Sequence, residues 1–385
     1  MLRVVVGHSD DPDSESAIAE VLQQCQADLK GAMPQAGILF AAIDFDYPFI
    51  LDTINKTFPE VQLIGGTTDG EISSVLEFQQ DSLTLMLFCS DTVEIAAGVG
   101  RNVSQAPAQA AQAAIAQAQQ QLTTPPKLCL TVPEGLHVNQ SQILRYLKQT
   151  LKDSPIPIVG GFAGDQYQFK ATYQFYNAEI LQDSVPVLLF GGNLLFSHGV
   201  VSGWQPLGQP SRVTKVGHNV VYEIDGQSAL SYYRQYLGGL DPAGEYPLAV
   251  FERDSEHFYL RAPLAHNVDE GSVTFFGEVP DQSIVQITTA NRDEVVAAAQ
   301  TSIAQALERY PGKTPSAAVF FSCAGRRWLL GTRTAEEYQQ IREQLPANIP
   351  ACGFYAYGEI APLQPCSETQ LHNETFVSCL FGTAD

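Results

Sequence analysis

The chain has 385 residues, 45% of them hydrophobic, and a formal net charge of -21 from 42 acidic against 21 basic side chains. Its size and composition fit a folded protein of two or three domains with a large core and exclude long disorder. The charge repels nucleic acid and anionic membrane and no basic stripe offsets it, so neither is expected as a partner.

Val4–Gly7 is apolar, too short for a signal peptide and followed at once by acids, and it reads as a first strand. Helical spacing covers Ser14–Leu29. Strand patterns cover Gly37–Ile43 and Val61–Gly65, with a short helix over Pro48–Thr57 between them. Ser82–Cys89 and Val93–Val99 read as an antiparallel pair joined by a turn. Ala106–Gln121 is rich in alanine and glutamine and predicts a packed helix, stopped by Pro125-Pro126. Leu128–Val132, Val138–Leu151 and Ile156–Val159 then repeat the order strand, helix, strand. Residues 1–100 and 101–195 therefore read as a weak duplication.

Beyond Phe169 strands dominate, and a division near 195–210 gives domains of 1–198 and 199–385. Ser228–Tyr236 predicts a helix, and 247–289 holds several short strands. Asp293–Tyr310 predicts a long helix with acids in its first turn. Ala317–Phe321 predicts a strand, Thr334–Gln344 a helix, and TFVSCLF a terminal strand. No apolar run reaches the roughly 18 residues of a membrane-spanning helix. Seven cysteines without close pairing fit a reducing cytosol, seven dispersed histidines offer no metal site, and no cofactor is implied.

One phrase recurs three times: VQLIGGTTDGEIS at 61–73, IPIVGGFAGD at 156–165 and IPACGFYAYGEIAP at 349–362. Each is an apolar run that ends in glycine and meets polar residues, the junction of a buried strand with a tight loop. The pattern predicts an α/β fold of mixed sheets with flanking helices and duplicated β-α-β-like units, with α/β/β/α layering as one arrangement it allows.

Within these junctions the sequence offers charged and aromatic candidates. Arg326, after a strand, has the geometry to clamp a ligand carboxylate or to pair with an acid such as Glu359. Glu71, Glu359 and Asp69 are candidates to hold a ligand ammonium, or else to cap turns. Tyr355 and Tyr357 line a pocket or pack in the core. Asn373 and His372 precede the terminal strand, in a turn or at a site. Cys323 has two readings, an inert buried thiol or, if a histidine folds against it, the nucleophile of a hydrolase.

Cys323-Ala324-Gly325-Arg326, Gly353–Ile360 and His372-Asn373-Glu374-Thr375, with Val220–Gly226 and Gly65–Ile72, together resemble the FIST family. The resemblance implies a FIST N domain followed by a FIST C domain. It further implies an intracellular, non-catalytic sensor of a small metabolite, an amino acid in the usual proposal. The partner it implies is a signalling protein such as a histidine kinase or a chemotaxis-type receptor.

Overall fold

A computed structural model describes residues 1–252, 255–346 and 348–384. The first unit runs β1 (Leu2–Ser9), α1 (Ser14–Leu29), β2 (Ala36–Ala41), α2 (Tyr47–Thr57), β3 (Gln62–Thr67), the hairpin β4 (Glu71–Ser73) and β5 (Glu77–Gln79), and β6 (Leu83–Ser90). The second repeats it: β7 (Val93–Arg101), α3 (Pro107–Gln119), β8 (Leu128–Thr131), α4 (Gln140–Thr150), β9 (Ile158–Gly161), the hairpin β10 (Gln174–Tyr176) and β11 (Glu179–Leu181), and β12 (Ser184–Gly192).

The third unit begins with β13 (Leu194–Val201), so position 198 lies inside a strand. An inserted sheet follows: β14 (Gln205–Gly217), β15 (Val220–Ile224), β16 (Gln227–Ser228), then α5 (Ala229–Tyr236), β17 (Leu248–Phe251), β18 (Phe258–Arg261), β19 (Pro263–Asn267), β20 (Ser272–Phe275) and β21 (Ile284–Thr289). The repeat then resumes with α6 (Arg292–Glu308), β22 (Ala317–Cys323), α7 (Ala324–Leu330), α8 (Ala335–Arg342), β23 (Ala351–Ala356), the hairpin β24 (Glu359–Pro362) and β25 (Thr369–His372), and β26 (Phe376–Thr383).

The duplication seen in the sequence is thus part of a triplication. The three sheets read β1-β6-β2-β3, β7-β12-β8-β9 and β13-β26-β22-β23, each with one parallel pair. Every unit gives its hairpin away. β4-β5 extends the third sheet, β10-β11 the first and β24-β25 the second. This cyclic exchange ties the three units into one body.

The inner faces of all three sheets share a single core, where a two-layer sandwich of sheets was one expectation. At its centre Phe88, Phe190 and Phe381, each six residues after the Ser82, Ser184 or Thr375 at or just before the start of its strand, have ring centroids 5.6 to 6.4 Å apart. Helices cover the outer faces: α1 and α2, α3 and α4, and α6 and α8.

Two glycines recur for a steric reason. A Cβ on Gly65, Gly160 or Gly353, the first glycine of the repeated phrase, would lie 1.9, 2.0 or 2.3 Å from a carbonyl oxygen of the parallel partner strand. A Cβ on Gly7, Gly98 or Gly199 would strike the backbone of α1, α3 or α6.

Candidate functional site

A cavity of about 610 Å³ lies off the C-terminal ends of β22 and β23. Ligands of open α/β sheets favour that position, because strand ends deliver side chains there without sealing the space. Cys323, Ala324 and Gly325 form one wall, Ala356 and Tyr357 a second, and Asn373 and Glu374, between β25 and β26, a third. The second unit contributes Tyr167 and Phe169, and the inserted sheet closes the remaining side with Glu245, Ala262, Leu264 and Phe276.

The aromatic wall is held in place by a carboxylate. Asp165 accepts from the backbone N–H of Phe169 at 3.0 Å and Lys170 at 2.7 Å, and from the Tyr357 hydroxyl at 2.7 Å. Tyr357 Oη in turn accepts from Tyr167 N at 2.6 Å. These bonds fix a loop in which Gln166, Tyr167 and Phe169 all have φ between 50° and 59°, a conformation that bulky residues rarely adopt. Phe169 stacks on Tyr357 at 5.4 Å, and Tyr167 meets Trp328 at the same distance. Trp328 is 65% exposed and stands at the mouth.

The floor is acidic. Glu374 is 2% exposed and has φ 57°, and its Oε2 lacks a hydrogen-bond partner among the described residues. Burial pushes its carboxyl up to about 8, although the Arg326 charge opposes the shift. A Cβ on Gly325 would lie 2.0 Å from Glu374 Oε1, so glycine is the residue that lets this carboxyl occupy its place. The Tyr167 hydroxyl is also buried without a partner. Burial raises it first, then the nearby charges of Asp69, Cys323 and Glu374.

The site residues read from the sequence divide between this cavity and the core. Tyr357, Asn373 and Cys323 line the cavity. Arg326 does not, and it does not pair with Glu359. It is fully buried: its Nε and Nη2 donate to Glu337 Oε1, Nη2 also to Val295 O at 2.7 Å, and Nη1 to the carbonyls of Ser202 and Glu374. Tyr355 belongs to the same cluster, donating its hydroxyl to Glu337 Oε2 at 2.6 Å. The ring of His372 is buried, shares a 2.9 Å hydrogen bond with Ala361 O, and has its pKa lowered to about 4 by burial. Asp69 bonds Arg327 Nη1 at 2.7 Å, and burial raises its carboxyl to about 7.

Glu71 and Glu359 have a shared role that the sequence did not reveal. Each opens a donated hairpin, at the register position occupied by Gln174 in the second unit. Each accepts from a hydroxyl at or just before the start of its unit's last strand: Glu71 from Ser82 at 2.5 Å, Gln174 from Ser184 at 3.0 Å and Glu359 from Thr375 at 2.8 Å. Burial raises Glu71 to about 8 and Glu359 well above the usual range, so both are held neutral, as Gln174 is by nature.

Cys323 is pushed well above an ordinary thiol by burial first and then by the neighbouring carboxyls of Glu359 and Glu374. None of its hydrogen bonds among the described residues is to a histidine. No group of three or more metal-ligating side chains is assembled among those residues. None of their helices is long and apolar enough to cross a membrane. Glu374, Tyr167, Phe169 and Trp328 were not picked out from the sequence. The left-handed conformations and the orphaned oxygens that mark them are properties of the folded chain.

An uncharacterized protein of Methanocaldococcus jannaschii is 33% identical over 147 residues, 36% of this chain and 28% of that protein. One from Mycobacterium tuberculosis is 25% identical over 413 aligned positions, 99% of this chain and 100% of that one. A crystal structure of a cyanuric acid hydrolase from A. caulinodans aligns over 100% of both chains at 9% identity and a TM-score of 0.39, too loose to bear on function. Residues 35–227 match the FIST N domain and residues 229–362 the FIST C domain. The chain therefore belongs to the FIST family, whose domains are generally regarded as small-ligand sensor domains in signalling.

Proposed function

We propose that this protein is a non-catalytic sensor that binds a small metabolite in the cavity beside Cys323 and Glu374 and passes its occupancy to a signalling partner. The observation that carries this reading is the convergence of the family's own segments, 323–325, 356–357 and 373–374, on one cavity of metabolite size. The cavity is roofed by aromatic side chains from a second unit and by the inserted sheet. An occupant therefore touches parts of the chain far apart in sequence, which is what a change in occupancy needs in order to be felt at the surface. Trp328 and Phe169, exposed at the mouth, are the surface nearest to the ligand. A histidine kinase or chemotaxis-type receptor is the partner class proposed. A cytoplasmic location fits the seven cysteines, all free and six of them buried.

The amino-acid version of this reading loses its clamp, because Arg326 faces the core and no other cationic side chain lines the cavity among the described residues. The hydrolase reading also loses support. A nucleophilic thiolate needs a lowered pKa and a base, and Cys323 has a raised one with no histidine bonded to it.

A thermal-shift screen against common metabolites tests the sensor. A ligand that binds the folded form raises the melting temperature of the wild type. Ala243→Trp places an indole over the cavity from an exposed lining position and abolishes the shift. A panel in which nothing stabilises the wild type, or in which hits stabilise Ala243→Trp equally, refutes the reading.

A further inference from the structure

We infer that the cavity selects a ligand bearing a cationic amine on an apolar body, with the ammonium seated between the Glu374 carboxylate and the Tyr167 hydroxyl. This rests on the sensor reading of the same cavity and names the chemistry of its ligand.

Three observations converge. The first is the charge of the lining: among the described residues Glu245 and Glu374 contribute to it, and no lysine, arginine or histidine does. A carboxylate or phosphate ligand would enter an acidic, mostly apolar space with no counter-charge, whereas an ammonium meets one. The second is the pair of orphans. Glu374 Oε2 and Tyr167 Oη are both buried without hydrogen-bond partners among the described residues, and both residues line the cavity. Orphaned buried oxygens are costly, and an ammonium, which only donates, satisfies two acceptors at once. The third is the aromatic surface of Tyr167, Phe169, Phe276, Trp328 and Tyr357. Ring faces attract a cation and accept its apolar body, so the same wall serves both ends of such a ligand.

The groups facing Glu374 set its proton balance. Cys323 approaches from the end of β22, Glu337 from α8, Glu245 from the inserted sheet and Glu359 from β24. Arg326 of α7 donates to the Glu374 carbonyl at 3.4 Å. Burial and this acidic company keep the carboxyl protonated at neutral pH while the cavity holds no cation. Binding an ammonium stabilises the ionised form, so the Glu374 proton leaves to solvent as the ion pair forms. Below pH 8, up to one proton is released for each amine bound, and affinity rises with pH by up to about tenfold per unit.

Isothermal titration with three probes of one shape tests this: phenethylamine, 2-phenylethanol and phenylacetate, at pH 6, 7 and 8 in buffers of differing ionisation heat. The expected result is that phenethylamine binds most tightly, gains affinity from pH 6 to pH 8 and releases a proton. Glu374→Gln weakens it at least tenfold at pH 8 and leaves 2-phenylethanol unchanged. Tyr167→Phe, which deletes only an unpartnered hydroxyl, weakens the amine selectively and keeps the test valid should Glu374→Gln fold poorly. Equal binding of the amine and the alcohol, preference for phenylacetate, affinity that falls as pH rises, or no binding of phenethylamine overturns the amine assignment. None of these outcomes touches the sensor reading, which stands or falls on the metabolite panel with Ala243→Trp.

Discussion

Glu71→Gln is predicted to stabilise this protein at pH 8 and to have little effect at pH 5. Glu71 is fully buried at the start of the donated hairpin and accepts from the hydroxyls of Thr68 and Ser82. Burial raises its pKa from the usual 4.5 to about 8, against the opposing effect of those hydrogen bonds. Below the unfolded value the carboxyl is protonated in both states and costs nothing. As pH rises from 4.5 towards 8 the unfolded chain releases this proton while the folded chain keeps it, so stability falls. At about 1.4 kcal/mol per pH unit the group removes roughly 5 kcal/mol across that window. Glutamine keeps the shape and cannot ionise, and Gln174 already fills the equivalent position in the second unit, accepting from Ser184. At pH 5 the substitution should change stability by no more than about 1 kcal/mol, the scale of one rearranged hydrogen bond. Urea denaturation of wild type and variant at pH 5, 6.5 and 8 measures the difference. A variant less stable than wild type by the same amount at all three values would mean that Glu71 is ionised in the fold, and the argument from burial would be wrong.

Other substitutions follow from the same contacts. Arg326→Met should destabilise by about 3–5 kcal/mol in equilibrium denaturation, because it leaves the buried Glu337 carboxylate and three carbonyls without their donor. A loss below about 1 kcal/mol would show that the cluster is not structural. Phe190→Ala should cost about 3–5 kcal/mol, and pairing it with Phe381→Ala should give less than the sum, since the rings share one cavity at 5.6 Å; strict additivity counts against a shared centre. The wild type should lose stability as pH climbs from 6.5 to 8, where the histidines are neutral in both the folded and the unfolded chain. Buried His8, His198 and His372, lowered to about 3, 4 and 4, weaken the fold as pH drops, and Glu71 and Glu374, both raised to about 8, weaken it as pH climbs. A urea midpoint still rising from pH 6.5 to 8 would contradict this.

The sequence alone determined the local elements and the family. Periodicity and caps are properties of neighbouring residues, so helices such as Ser14–Leu29 and the parallel strands before each glycine junction were legible. The third copy was not read from the sequence: its trace, the pairs Leu87-Phe88, Leu189-Phe190 and Leu380-Phe381 two residues before the end of each unit's last strand, is masked by an insertion of some 90 residues. Tertiary structure alone decided which charges reach the cavity. Arg326 and Glu374 are 48 positions apart, and both stand in conspicuous motifs. Only the fold turns the arginine onto Glu337 and leaves the glutamate facing open space, because burial and orientation are set by residues distant in the chain. The hairpin exchange is equally invisible in one dimension: a short strand carries no mark of which sheet will receive it, and that choice lies in the backbone partners it finds across the molecule.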